Sequence, residues 1–307
     1  MHEPSIPQLR AFVAVARERH FGVAAGDLNV TQPAVSAALR SLERNLGTRL
    51  VERSARGVLL TPAGEALLPA AAQVLAALDE LVSEAARGGR PHAGPLRIGV
   101  IPTVAPYLLP SLLATLGREF PDLLPDVRED QTRHLLDALS DGSVDVLVLA
   151  LPAERPDVIE LPLYWEEFVL LVPASDPVAG DTVPVSSLAR FEILLLEEGH
   201  CLRDQTLDVC RQAGTLGRTA QAASLTTLSQ LVAAELGVTL LPASAVPVEV
   251  RGSLATARFA DDPPPGRRVG LVHRASSARA GEYVDIARSL RAALRTAPMR
   301  VMVEGDE

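Results

Sequence analysis

Apolar residues fall into helical register from the start of the chain. Leu9, Phe12, Val13 and Ala16 line one side of a segment running from about Ile6 to Arg19, which predicts an amphipathic helix. A shorter helix is expected from Gly22 to Leu28, followed by a tight turn at Asn29-Val30. Thr31 then supplies a hydroxyl to cap a third helix, with Pro33 in the first turn, where its missing N–H costs nothing. That third helix has two faces. Val35, Leu39, Leu42 and Leu46 point inward, Pro33, Ala37, Arg40 and Arg44 lie opposite, and Gly47 ends it. Alternation then predicts a two-stranded wing, Leu50 to Arg53 and Val58 to Thr61.

Thr61 and Pro62 form a cap and first-turn pair for a long helix continuing to about Arg87, before Gly88-Gly89. Leu67, Ala71, Val74, Leu78, Leu81 and Ala85 recur along it at alternating steps of four and three, a heptad seam suited to pairing with a second copy. Beyond Pro95 the pattern changes. Apolar strands at Leu96 to Ile101, Val144 to Leu149, Phe168 to Val172, Ile193 to Leu196, Val238 to Leu241 and Val269 to Val272 alternate with helical segments, which implies an α/β fold with mostly parallel sheets.

Two short helices joined by a tight turn, with small and polar residues opening the second and Arg further along, describe a helix-turn-helix reader. Gln32 and Ser36 are placed to reach base edges and Arg40 a base or a phosphate, while Arg49, Arg53 and Arg56 continue the positive strip through the wing onto a DNA backbone. Net charge alters this picture only when divided. The whole chain carries −9, but residues 1 to 65 hold eight Arg against six acids, so the cationic end is the front. Length adds that 307 residues exceed one ordinary core, and 48% apolar with 22% charged residues describes a globular protein. The start lacks a signal pattern, no window resembles a membrane span, and two cysteines are too few for a secreted scaffold, so a cytoplasmic location without membrane association is expected. Neither a metal-ligand cluster nor a phosphate-cradling glycine loop appears, and no cofactor is expected.

The two cysteines carry the remaining chemistry. Cys201 follows a strand in EEGHCLRDQTLDVC, near the start of a helix running toward Cys210. The helix N-terminus, His200 and Arg203 favour its thiolate form, while Glu197, Glu198 and Asp204 act against it. A thiolate attacks peroxide to give a sulfenic acid, which a second thiol condenses to a disulfide. Nine positions of continuous helix span about 13.5 Å, whereas disulfide Cα atoms lie about 4.4 to 6.8 Å apart, so the two can bond only after local refolding. Thr103, following the strand in IGVIPT, lies where a strand end meets a helix N-terminus and suits a polar or anionic ligand.

Residues 11 to 67, with TQPAVS, LE-x-x-LG-x-x-L and LTPAGE, resemble the DNA-binding domain of LysR-type regulators. IPTVAPYLLP, EEGHCLRDQ with its second cysteine, TLLPASAVP and RRVGLVHR resemble the peroxide-sensing members of that family, and the similarity extends from Ser5 to about Arg295. The resemblance implies a winged helix-turn-helix over 1–61 that uses Thr31, Gln32, Pro33, Ser36, Arg40, Arg44, Arg53 and Arg56. A dimerisation helix and hinge over 62–94 would pair through Leu67, Ala71, Val74, Leu78 and Leu81. The regulatory domain, 95–307, would resemble a periplasmic binding protein, with subdomain I at 95–167 and 269–307 and subdomain II at 168–268.

The same resemblance makes Cys201 the peroxidatic residue and Cys210 the resolving one, with Thr103, Thr132, His200 and Asp204 around the peroxide and either Arg267 or Arg268 supporting the thiolate. The implied partners are dyad-symmetric double-stranded DNA, further copies in a homodimer or homotetramer, hydrogen peroxide as signal, RNA polymerase, and glutaredoxin or thioredoxin as reductant. Genes of oxidative-stress defence are the implied targets. Between Cys210 and Ser224 the chain departs from that pattern, one residue shorter and with Ala220-Gln221 in place of a His-aromatic pair. Two rivals remain: a regulator answering a small organic effector with incidental cysteines, and a thiol peroxidase, against which the basic N-terminal head argues.

Overall fold

Gln8 Oε1 accepts the Ser5 amide N–H at 2.9 Å and opens the first helix, α1 (Ile6–Glu18). In this computed structural model residues 3–54, 57–87, 89–215 and 221–305 are described. They divide into two units, Met1–Gly89 with Asp137–Ser143, and Arg90–Leu136 with Val144–Glu307.

In the first unit, α2 (Phe21–Asp27) is capped by His20, whose Nδ1 accepts from the amides of Gly22 and Val23 at 3.1 and 3.3 Å. Sequence reasoning passed over this cap because histidine is an uncommon N-cap. Thr31 Oγ1 accepts from Ala34 N and opens α3 (Gln32–Leu46). Strands β1 (Val51–Ser54) and β2 (Gly57–Leu60) pair antiparallel as the wing, shifted by one residue from the expected bounds. Glu43 Oε1 ties α3 to the wing by accepting from Leu50 N at 2.8 Å. Thr61 Oγ1 accepts from Gly64 N at 3.0 Å and begins α4 (Pro62–Arg87). A side chain at Gly64 would meet the Leu50 carbonyl at 2.1 Å, so the helix can approach the wing only as glycine. Phe12, Val15, Val35, Leu39, Leu42 and Leu50 form the core.

The second unit is built on a nine-stranded mixed sheet. From residue 90 on the elements run β3 (Gly94–Val100), α5 (Ala105–Glu119), β4 (Leu123–Glu129), α6 (Thr132–Ser140, whose residues from Asp137 on are assigned to the first unit), β5 (Val146–Leu151), β6 (Val158–Pro173), β7 (Thr182–Val183), β8 (Leu195–Leu196), α7 (Cys201–Gln212), β9 (Gln221–Ala222), α8 (Leu225–Ala233), β10 (Thr239–Pro242), α9 (Val246–Glu249), β11 (Leu254–Phe259), β12 (Gly266–Arg274), α10 (Ala280–Leu294) and β13 (Met302–Val303). The main path is β4-β3-β5-β12-β6-β11-β7, while β8 and β9 form a separate pair.

The expectation of mostly parallel sheets needs correction. β3 is parallel to β4 and β5, but β12 runs antiparallel to β5 and β6, and β10, β11 and β13 run antiparallel to β6. The reason is β6. Its residues expected at Phe168 to Val172 are only the end of a 16-residue strand whose first part lies against β12 and whose last part pairs with β10 and β11. Mixed burial in Val158–Glu167 hid that first part from a search for apolar runs. The change of partners at Glu167/Phe168 places Glu166 beside β12, where the candidate site lies.

Candidate functional site

Two sets of residues carry chemistry, one in each unit. On α3, Gln32, Pro33, Ala37, Arg40 and Arg44 are exposed along one side, opposite the buried Val35, Leu39 and Leu42. Ser36, by contrast, is 8% exposed, on the buried side of that boundary, and lines a groove together with Arg40, Arg44 and Arg49. Residue 36 shares a face with Gln32 four residues before it but adjoins the core position Val35, so it lies at the edge between the two sides. Arg49 is exposed beside the wing. The backbone of Arg53 pairs with Val58, but the Arg53 side chain and the whole of Arg56 lie outside the described residues.

Along α4, Leu67, Val74 and Leu81 are exposed, Leu81 by 66%, and Leu78 is partly covered. Ala71 is a correction to the expected continuous seam, because it is 7% exposed and packs into the core with α1 and α3. Ala71 is thus committed to the core of its own unit, while Leu67 before it and Val74 and Leu81 after it stay exposed.

In the second unit, β8 leads through Glu197–His200 into α7. This loop is held at several points. Glu197 N donates to the Ala222 carbonyl at 3.0 Å, Gln131 Nε2 donates to the Glu198 carbonyl at 3.2 Å, and Arg203 Nη1 returns to the Leu196 carbonyl at 2.8 Å. Arg203 therefore spends a donor on the loop. Gly199 has φ +94, and a Cβ there would meet Gln131 Oε1 at 2.1 Å, so both the turn and the close side chain require glycine.

His200 is the N-cap residue of α7 and Cys201 its first residue, partly buried. Cys210 lies near the other end of the same uninterrupted helix, fully buried, and burial pushes its thiol pKa up. Both cysteines are free. His200 is buried with no hydrogen-bond partner for Nδ1 among the described residues, and burial holds its pKa down against the opposing pull of Glu197 and Glu129. Thr132 Oγ1, at the start of α6, is likewise buried without a partner among the described residues. Asp204 is exposed in the first turn of α7.

Sequence left Arg267 and Arg268 as alternatives, and β12 separates them by alternation. Arg268 is 55% exposed and pairs with Glu304 at 2.6 Å. Arg267 faces inward. Its Nε donates to Glu166 Oε1, its Nη1 to Thr103 Oγ1 and its Nη2 to the Thr103 carbonyl, each at 2.8 Å. Burial works against its charge, but Glu166, Cys201 and Tyr164 nearby outweigh burial and hold the guanidinium firmly protonated. Thr103 and Arg267 are therefore in direct contact, with Cys201 inside the electrostatic reach of the pair.

A cavity of 150 Å³ adjoins this cluster, with Thr103, Tyr107, Glu129, His200, Ser224 and Thr226 in its wall. Thr132, Cys201 and Asp204 do not line it. Tyr107 donates its hydroxyl to Glu249 Oε1 at 2.9 Å, and Thr226 donates to the same oxygen at 3.1 Å. Glu166, Gln131, Tyr107 and Glu249 escaped the sequence reading. A signal existed for Glu166: two adjacent carboxylates in the strand YWEEFVLL must point to opposite faces, so one of them faces inward.

The comparisons agree with this architecture. Residues 6–65 match the pattern of the bacterial regulatory helix-turn-helix protein of the lysR family, and residues 89–295 match the LysR substrate binding domain. A Streptomyces viridosporus protein described as a "probable hydrogen peroxide-inducible genes activator" is 50% identical over 305 residues, covering 98% of this chain and 97% of the relative. The DNA-binding transcriptional dual regulator OxyR of Escherichia coli K12 is 42% identical over 290 residues, covering 94% and 95% of the two chains. Among solved structures, a full-length OxyR variant from Pseudomonas aeruginosa aligns over 100% of both chains at 34% identity and TM-score 0.73. The oxidized form of Corynebacterium glutamicum OxyR covers 96% of this chain and 94% of its own at 47% identity and TM-score 0.59. Head and regulatory domain thus both match one group of DNA-binding transcription regulators, and the chain belongs to the LysR family as a homologue of OxyR.

Proposed function

We propose that this regulator senses hydrogen peroxide through Cys201 and converts the signal into a Cys201–Cys210 disulfide. The observation that carries the reading is the setting of Cys201: a partly buried cysteine at the first residue of α7, within electrostatic reach of the buried Arg267, with the second thiol on the same helix. In the first step the Cys201 thiolate sulfur donates an electron pair to one peroxide oxygen. An S–O bond forms, the O–O bond breaks, and the departing hydroxide takes up a proton to leave as water. Sulfur is thereby oxidised by two electrons to a sulfenic acid and peroxide is reduced. Cys210 then attacks that sulfur, the S–O bond breaks, a disulfide forms and a second water leaves. Thr103, held by Arg267, and the Thr132 hydroxyl and His200 Nδ1, which have no hydrogen-bond partner among the described residues, are the groups available to peroxide and its leaving oxygen.

In this reading 1–61 is the DNA-binding head, 62–94 the pairing helix and hinge, and 95–307 the sensor, with its two subdomains divided between 167 and 168 and between 268 and 269. Two heads joined through α4 would meet the two halves of a dyad-symmetric site. A tetramer, contact with RNA polymerase, and resetting by glutaredoxin or thioredoxin complete the proposal. The regulated genes would be those of oxidative-stress defence. The rival small-effector reading is supported by the cavity beside Thr103, but 150 Å³ is below the roughly 300–1,000 Å³ of sites for drug-sized ligands.

The test is intact mass and free-thiol count before and after one equivalent of hydrogen peroxide, with DNA footprints of the same samples. The expected result is rapid loss of both thiols, a trapped sulfenic acid in Cys210→Ser, and a changed footprint. Persistent thiols, or oxidation that leaves the footprint unmoved, would turn the assignment toward the small effector.

A further inference from the structure

Glu166 and Arg267 form an ion pair with 0% side-chain exposure on both partners. A buried pair of this kind is weak as a source of stability, because desolvation offsets the attraction. Its contacts point to another role. The second oxygen of Glu166 accepts the Ser244 amide N–H at 3.1 Å, so the carboxylate is fixed from two sides. Arg267 lays both terminal nitrogens on Thr103, and three contacts from a planar guanidinium determine its orientation completely. The titratable groups that act on this pair electrostatically are Tyr164 from β6, Tyr107 from α5 and Cys201 from α7.

We propose that Glu166 is a positioning residue for the peroxide reaction: it aims the Arg267 guanidinium at Thr103 and, by its own charge, limits how much positive potential reaches Cys201. The inference rests on Cys201 being the peroxide-reactive thiol. Its physical basis is a compromise. An uncompensated guanidinium favours the thiolate, but a thiolate held too tightly is a weaker nucleophile, so a partly neutralised cation serves attack better than a bare one.

Two substitutions separate charge from position. Glu166→Gln keeps the length and an oxygen for Arg267 Nε while removing the negative charge. Glu166→Asp keeps the charge and, one methylene shorter, draws the guanidinium away from Thr103. Both are made in the full chain carrying Cys210→Ser, which leaves Cys201 as its sole thiol. The readouts are the pH profile of iodoacetamide alkylation, the rate of sulfenic acid formation with hydrogen peroxide, and a thermal melt. For Glu166→Gln the alkylation midpoint moves to lower pH by about one unit and the plateau rate falls about threefold. For Glu166→Asp the midpoint moves the other way. A purely structural carboxylate would lower the melting temperature and leave both midpoints in place, and that result overturns the proposal. So does a midpoint that rises in Glu166→Gln, or a failure of both variants to fold, which makes the carboxylate a requirement of the fold alone. If the parent with Glu166 intact does not react with peroxide, the reading of Cys201 itself fails, whatever the variants do.

Discussion

Arg267 commits its charge to Glu166 and its donors to Thr103 inside a fully buried site. Arg267→Met therefore leaves Glu166 as an unpaired buried charge and should destabilise the protein by about 3–5 kcal/mol. Urea unfolding of the two proteins checks this, and a difference below about 1 kcal/mol would mean that the carboxylate finds protons or water instead. The histidines give a prediction of opposite character. Burial depresses both His200 and His273, so the unfolded chain takes up protons that the folded chain refuses. Their contribution to stability is complete above the ordinary imidazole value of about 6.5 and is lost as the pH falls below it. Melting temperatures should thus decline between pH 7.5 and 5.5, and His200→Gln with His273→Gln should flatten that decline. At this scale the sequence pointed to Cys201, Thr103 and His200, because each stands beside a strand end or helix start that local patterning reveals, and to Cys210 as the second thiol along the same helix. It could not choose between Arg267 and Arg268, since adjacent strand residues face opposite ways and only the pairing of β12 with β6 says which way is in.

Helix α7 is the element on which the proposed switch turns. It is continuous from Cys201 to Gln212 and buries Leu202, Thr206, Val209 and Cys210 along one side. About 13.5 Å of helix separates the cysteines, so a disulfide requires its first turns to unwind. Uncovering Leu202 and Val209 alone costs roughly 3–6 kcal/mol, which the new bond and new packing must offset. Hydrogen exchange should show amides of residues 203–210 losing protection by tenfold or more on oxidation while β3, β5 and β12 keep theirs. Unchanged protection in α7 would rule out intramolecular bonding by this route. A helix running from Cys201 toward Cys210 was already expected from the sequence. What was not legible was the loop before it, tied down by Gln131 from a segment more than 60 residues earlier.

For the whole molecule, the exposed stripe Leu67, Val74 and Leu81 on α4 is the surface proposed to join two copies. Replacing all three by Glu should weaken self-association at least a hundredfold, since each buried aliphatic side chain is worth about 1.5–3 kcal/mol. Sedimentation and DNA titration of the triple variant would be read together. A dimer that persists with undiminished DNA affinity would move the interface elsewhere. Ala71 should be left untouched in that experiment, because it belongs to the core of its own unit.

What the sequence determined by itself is whatever is set by residues close along the chain. The reading helix with its Thr31 cap, the wing, the long α4, the alternation of strands and helices, and the nine-residue interval between two thiols on one helix all follow from local periodicity and spacing. The tertiary structure alone decided the antiparallel course of β6 and β12, the inward face of Arg267, its buried partner Glu166, and the partial burial of Ser36 and Ala71. These depend on which strands are neighbours and which faces meet. Such contacts join residues far apart, 164 positions in the case of Thr103 and Arg267, and no local pattern records them.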